Sequence, residues 1–142
     1  MNLETRTLIN WWILEATRQT DPFIKFFILY MCLDAWMTSG SQSDNDREKL
    51  DWLINHENPL KAHWADSPHK AVPLNGLEKI GKIEDMRPSH RGEYVYFNDA
   101  ENFEQIMRFI YQIRCNLFHG GKSPVNTNDR RLVSLGAKLL AP

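Results

Sequence analysis

Cysteine is almost missing from this chain. Only Cys32 and Cys115 occur, too few for a disulfide framework. Glycine and proline are sparse, seven of each, which excludes collagen-like or linker-like sequence. No charge of one sign dominates: 17 Lys and Arg face 18 Asp and Glu, for a net charge of -1. The chain as a whole is therefore not a basic nucleic-acid coat, while a local basic patch stays open. The longest apolar run, residues 26–33, falls far short of the ~20 residues that a bilayer requires. The opening MNLETRTLIN lacks the basic-then-apolar order of a secretory leader. No internal repeat or low-complexity tract is present. What remains, 42% hydrophobic and 25% charged residues in a chain of 142, is the balance of one globular domain over residues 1–142. Reduced thiols and no leader give a cytoplasmic expectation.

Helical periodicity dominates both ends. Residues 3–19 read as an amphipathic segment stopped at Thr20-Asp21-Pro22. Asp21 before Pro22 is also a start signal, a capping side chain followed by proline at the first helical position. The next segment, residues 22–38, is apolar nearly all round, so it is buried on most faces or used for association; Gly40 is expected to close it. A third helix carries Leu50, Leu53 and Ile54 and stops at Asn58-Pro59. Between residues 59 and 98 the pattern weakens, with short helices at 60–64 and 74–80, loops, and an alternating strand at 93–97. Asn98 and Glu101 are spaced as a capping box ahead of a long helix over residues 100–118, ended by Gly120-Gly121. Asn128 is placed to cap a last helix through Leu140, weakened by Gly136. The sum is an all-α bundle of four or five helices with a loop-rich insertion.

One residue stands in the wrong place. On the helix ENFEQIMRFIYQIRCNLFHGG, Phe103, Ile106, Ile110, Ile113 and Leu117 form the core stripe. At about 100° per residue, Arg114 falls inside that stripe. A guanidinium stays charged and costs several kcal/mol to bury alone. An internal carboxylate such as Asp34, a wet cleft or an anionic ligand must compensate it. His119 lies about 140° from Arg114 on an ideal helix, so the two converge only through a distorted helix end or a second chain. A histidine there also serves as a cation on terminal carbonyls. Asn116 and His119 share a face.

The segment IYQIRCNLFHGGKSP, with Arg114, four residues and then His119, resembles the Arg-x4–6-His motif of the HEPN family (higher eukaryotes and prokaryotes nucleotide-binding domains). The aromatic-rich helix FFILYMCLDAWMTS before it, and the polar loop and last helix after it, extend that resemblance over most of the chain, residues 56–98 excepted. The family's polar residue after the motif Arg is here Cys115, with Asn116 one position later.

The resemblance implies an HEPN-like bundle and a metal-independent endoribonuclease acting as a toxin or in phage defence, with an antitoxin protein as a possible partner. It implies a homodimer in which Arg114, His119 and the helper Asn116 from both chains line one cleft. Such an enzyme uses the RNA 2′-OH as nucleophile, His119 as base or acid and Arg114 as the phosphate clamp. The alternative within the same family is a catalytically silent helical module that binds RNA, a nucleotide or a partner protein.

Other constellations carry less. Residues 101–142 hold six Lys or Arg against three acids, and Lys122, Arg130 and Arg131 flank the motif as candidate RNA-backbone contacts. His56, His63, His69 and His90 lack metal-ligand spacing and read as surface residues. No cofactor motif is present. The five tryptophans read as core or dimer interface, and Cys115 as a small apolar residue.

Overall fold

The computed structural model describes residues 1–56, 59–118 and 127–142. It is mostly helical. The helices are α1 (Leu3–Arg18), α2 (Pro22–Ser41), α3 (Asp46–Asn55), α4 (Pro59–Asp66), α5 (Pro68–Ile80), α6 (Phe103–Phe118) and α7 (Thr127–Leu140). A two-stranded antiparallel sheet, β1 (Lys82–Glu84) and β2 (Tyr94–Tyr96), lies between α5 and α6.

The first two helices begin where side-chain chemistry directs. Asn2 and Asp21 accept hydrogen bonds from the first backbone amides of α1 and α2, and Pro22 occupies the first turn of α2, where its missing N–H costs nothing. α2 is the central helix, packed against α1, α3 and α7. That explains its all-round apolar character. With 20 residues it is long and apolar enough to cross a membrane by length and composition, yet Phe26, Leu29, Leu33 and Met37 are core residues here. One core cluster joins residues of α2, α3, α4, α5, β1, α6 and α7, and a second, smaller one holds α1 to α2 through Ala16, Ile28 and Leu29.

Several expectations are corrected by packing. α2 does not stop at Gly40. It continues to Ser41, and Gln42 takes the left-handed conformation at φ 55°. Gly40 is needed for another reason: a Cβ there would sit 2.1 Å from the Trp52 ring, so α2 and α3 meet too closely for any side chain. Gly136 does not break α7 either, because it lets α7 approach Phe26, whose Cε2 would lie 2.8 Å from an added Cβ.

The middle is more helical than its prolines suggest, which raises the count to seven helices among the described residues. Pro68 starts α5, and Pro73 lies inside it. An interior proline costs about 3 kcal/mol, offset here by burial of Pro73, Leu74 and Leu77 where α5 packs on α7. The strand expected over 93–97 is β2. Its partner β1 pairs Lys82 with Tyr96, Ile83 with Val95 and Glu84 with Tyr94, and the hairpin rests on α6. The start of α6 shifts to Phe103, because Asn102 Oδ1 accepts from Gln105 N–H, while Gln105 Oε1 accepts from the backbone of Asn98 and Asp99. α7 begins at Thr127, so Asn128 falls within its first turn.

Candidate functional site

Arg114 lies one turn before the C-terminal end of α6. Its side chain is 27% exposed, and its Nη1 stands 3.4 Å from Asp46 Oδ2. Asp34, the carboxylate anticipated from sequence, belongs instead to Lys49, at 2.8 Å. Lys49 also reaches Asp46, at 3.3 Å, and Tyr111 donates to Asp46 Oδ2 at 3.1 Å. α3 thus contributes a buried lysine between two acids, the second of which faces Arg114.

Aromatic rings complete the surroundings. The Arg114 guanidinium carbon lies 4.6 Å from the centre of the Phe118 ring, 5.8 Å from that of Tyr111 and 5.9 Å from that of Tyr30. Cation–π contacts of this kind stabilise a partly desolvated charge by about 0.5–2 kcal/mol. Burial pushes the phenols of Tyr30 and Tyr111 well above their ordinary range, so both stay neutral at physiological pH. Nη1 alone is engaged, by Asp46 and by a weak bond to Cys115 Sγ at 4.0 Å, which leaves most of the five guanidinium N–H donors uncommitted among the described residues. Chemically, this is a cation able to take a phosphate fork.

Phe118 is 57% exposed and meets Phe27 of α2, itself 42% exposed, with ring centres 5.6 Å apart and planes tilted by 54°. Ile24 is exposed on the same helix, as are Leu8, Trp11 and Leu14 on α1. An apolar surface therefore reaches from α2 to the edge of the Arg114 site.

The other expected residues separate. His119 and Lys122 lie outside the described residues, as does the expected helix stop at Gly120-Gly121. Arg130 and Arg131 are exposed on the first turn of α7, which packs on α6. Asn116, expected as a polar helper beside His119, is fully buried. Its Oδ1 accepts from Met86 N–H at 3.0 Å and from Gln112 Nε2 at 2.9 Å, and its Nδ2 donates to Glu84 O at 2.8 Å. Those bonds pin the hairpin to α6 and leave no face of Asn116 for substrate. Asp46, Tyr111, Tyr30 and Phe118 were not singled out from sequence. Asp46 read only as a charge in a polar loop, 68 residues from Arg114.

The histidines do not converge as a group. His56 Nδ1 faces Trp52 O at 2.7 Å, and His63 and His69 are exposed. His90, with Asp85 and Glu93, brings three potential ligand atoms within 4.8 Å of one another. Arg87, however, donates from Nε and Nη2 to both Asp85 oxygens, so the trio is an ion-pair knot around a buried carboxylate. Hydrogen bonds from Arg87 pull the Asp85 carboxyl from 3.8 down to about 2. A folded value below the unfolded one contributes stability above about pH 4, and that stability is lost as pH falls toward 2. The expected contribution is about 1–2 kcal/mol, discounted because Arg87 is partly exposed. Urea titrations at pH 7 and pH 2.5 should show Asp85→Asn less stable than wild type at pH 7 and the gap closing in acid. An unchanged gap would contradict the assignment.

A cavity of about 640 Å³ lies between α4, α5 and the start of α6, with Lys61, Trp64, Leu74 and Phe103 in its lining. A smaller groove of about 470 Å³ adjoins the Arg114 site through Tyr111. No family model, curated protein or solved structure matches this chain.

Proposed function

We propose that this protein is a metal-independent endoribonuclease of HEPN type, acting in the cytoplasm as a toxin or phage-defence effector. The observation that carries the reading is Arg114: a charged side chain in a core stripe, partly exposed, ringed by aromatics and held only by long contacts to Asp46 and Cys115 Sγ. Such a guanidinium is preorganised for a phosphate without being consumed by the fold. The sequence places His119 directly after α6.

In this mechanism the RNA supplies its own 2′-OH. One histidine removes its proton, Arg114 holds the phosphorane oxygens, and a second histidine protonates the 5′-oxygen. Two copies of His119 require two copies of the chain. The exposed Phe27, Phe118 and Ile24 supply the apolar surface that a homodimer would cover next to the site, and a two-fold axis there duplicates Arg114 and His119 in one cleft. Lys122, Arg130 and Arg131 are the flanking cations that would follow the RNA backbone.

A silent binding module is the second reading, favoured by the fact that Asp46 and the aromatic rings already balance the charge of Arg114 without a ligand. Arg114→Lys separates the two. Lysine keeps the charge but loses the fork, so cleavage of a labelled RNA should fall by about 10–100-fold if the guanidinium contacts the reacting phosphate. Full activity in Arg114→Lys marks a merely structural cation.

A further inference from the structure

The groove beside Arg114 has a lining that the mechanism does not use. α3 contributes Arg47 and Asp51, α6 contributes Arg108, Tyr111 and Gln112, and Leu50 and Val95 supply apolar wall. Tyr111 belongs to both places, since it borders the groove and donates to Asp46 beside Arg114.

Gln112 decides what the groove can hold. It is only 5% exposed, and the orientation of its amide is fixed by a chain of backbone contacts. Glu84 O can only accept, so Asn116 turns Nδ2 toward it. Met86 N–H can only donate, so Asn116 turns Oδ1 toward it. That same Oδ1 takes Nε2 of Gln112, leaving Gln112 Oε1 as the free end. Among the described residues Oε1 accepts no hydrogen bond, and it is not sealed from solvent. A nearly buried side chain thus presents an unpaired acceptor to the groove.

The remaining polar groups divide into acceptors and cations. Asp51 is an acceptor, held at 3.5 Å by Arg108. The Tyr111 hydroxyl spends its proton on Asp46 and offers lone pairs. Arg47 is exposed and has no ion-pair partner among the described residues. Arg108 is shared between Asp51 and Glu104, the latter at 3.0 Å, so Arg47 is the cation left for a phosphate, beside acceptors and an aromatic wall for a base.

We infer that this groove is a nucleotide subsite for RNA flanking the scissile phosphate, selecting a base with an exocyclic amine over uracil. The inference rests on the ribonuclease reading above. An amino group projects two N–H donors toward such acceptors. Uracil offers one N–H flanked by two carbonyl oxygens, which would face Gln112 Oε1 and Asp51 with like polarity. Arg47 neutralises the adjoining phosphate, and Asn116 acts as the positioning residue that aims Gln112.

Fluorescence anisotropy of labelled oligo(C) and oligo(U) binding to the full chain carrying His119→Ala, which blocks cleavage, tests this. Oligo(C) should bind about tenfold tighter than oligo(U). Adding Gln112→Leu should erase that preference by weakening oligo(C) alone. Arg47→Gln, at an exposed position that the fold does not need, should weaken both oligomers equally and reduce the salt slope by about one. Equal binding of the two oligomers, a preference that survives Gln112→Leu, or an unchanged salt slope in Arg47→Gln overturns the subsite and leaves the ribonuclease reading standing. Failure of both oligomers to bind removes the RNA reading itself, and the subsite with it.

Discussion

His119→Ala should lower RNA cleavage by about 10²–10⁴-fold, the usual worth of a positioned general acid or base, while RNA binding stays close to wild type. Histidine is the only group at the motif whose ordinary pKa lies near neutrality; Arg114 remains charged throughout. Single-turnover rates from pH 5 to 9 should trace a bell for the wild type, because one His119 must be neutral and its partner-chain copy protonated. Arg114→Lys should lower the curve without moving its limbs. The same histidine substitution should relieve any slow growth caused by overproduction of the wild-type chain. Wild-type cleavage by His119→Ala would remove histidine from the chemistry.

Asn116→Leu should have the largest effect on stability. It deletes three hydrogen bonds of a fully buried side chain and strands Glu84 O and Met86 N–H under the hairpin. Each buried orphan costs about 1–3 kcal/mol, so a loss of about 3 kcal/mol and a melting midpoint roughly 10 °C lower are expected. Calorimetry reads this directly. If Asn116 were a solvent-facing catalytic helper, the substitution would depress turnover and leave the midpoint nearly unchanged.

These two residues mark where sequence reasoning reached and where it stopped. The stripe of Phe103, Ile106, Ile110 and Ile113 shows on periodicity alone, and it exposes Arg114 as an intruder that needs compensation. The Asp21-Pro22 start of α2 is equally legible, because caps are local chemistry. What compensates Arg114 is not local. Asp46 and Asp34 lie on neighbouring elements, and only the packing of α3 decides that Lys49 takes Asp34 while Asp46 turns to Arg114. Asn116 departs from expectation for the same reason: helical spacing sets it three residues before His119, but the hairpin from the poorly patterned middle covers Asn116 itself. Gly40 and Pro73 signal breaks locally, and tertiary contacts with Trp52 and α7 override them. The start of α6 moved because two Asn-x-x-polar boxes overlap, and the second, Asn102 with Gln105, holds the cap.

The central claim is that the RNA 2′-OH is the nucleophile and that side chains, without a divalent ion, move its proton. Mass spectrometry of the 5′ fragment, produced in EDTA from an RNA of defined sequence, tests this most directly. The account predicts undiminished cleavage and a 2′,3′-cyclic phosphate at the new end. A fragment ending in a 3′-hydroxyl, formed only when a divalent ion is restored, would contradict it.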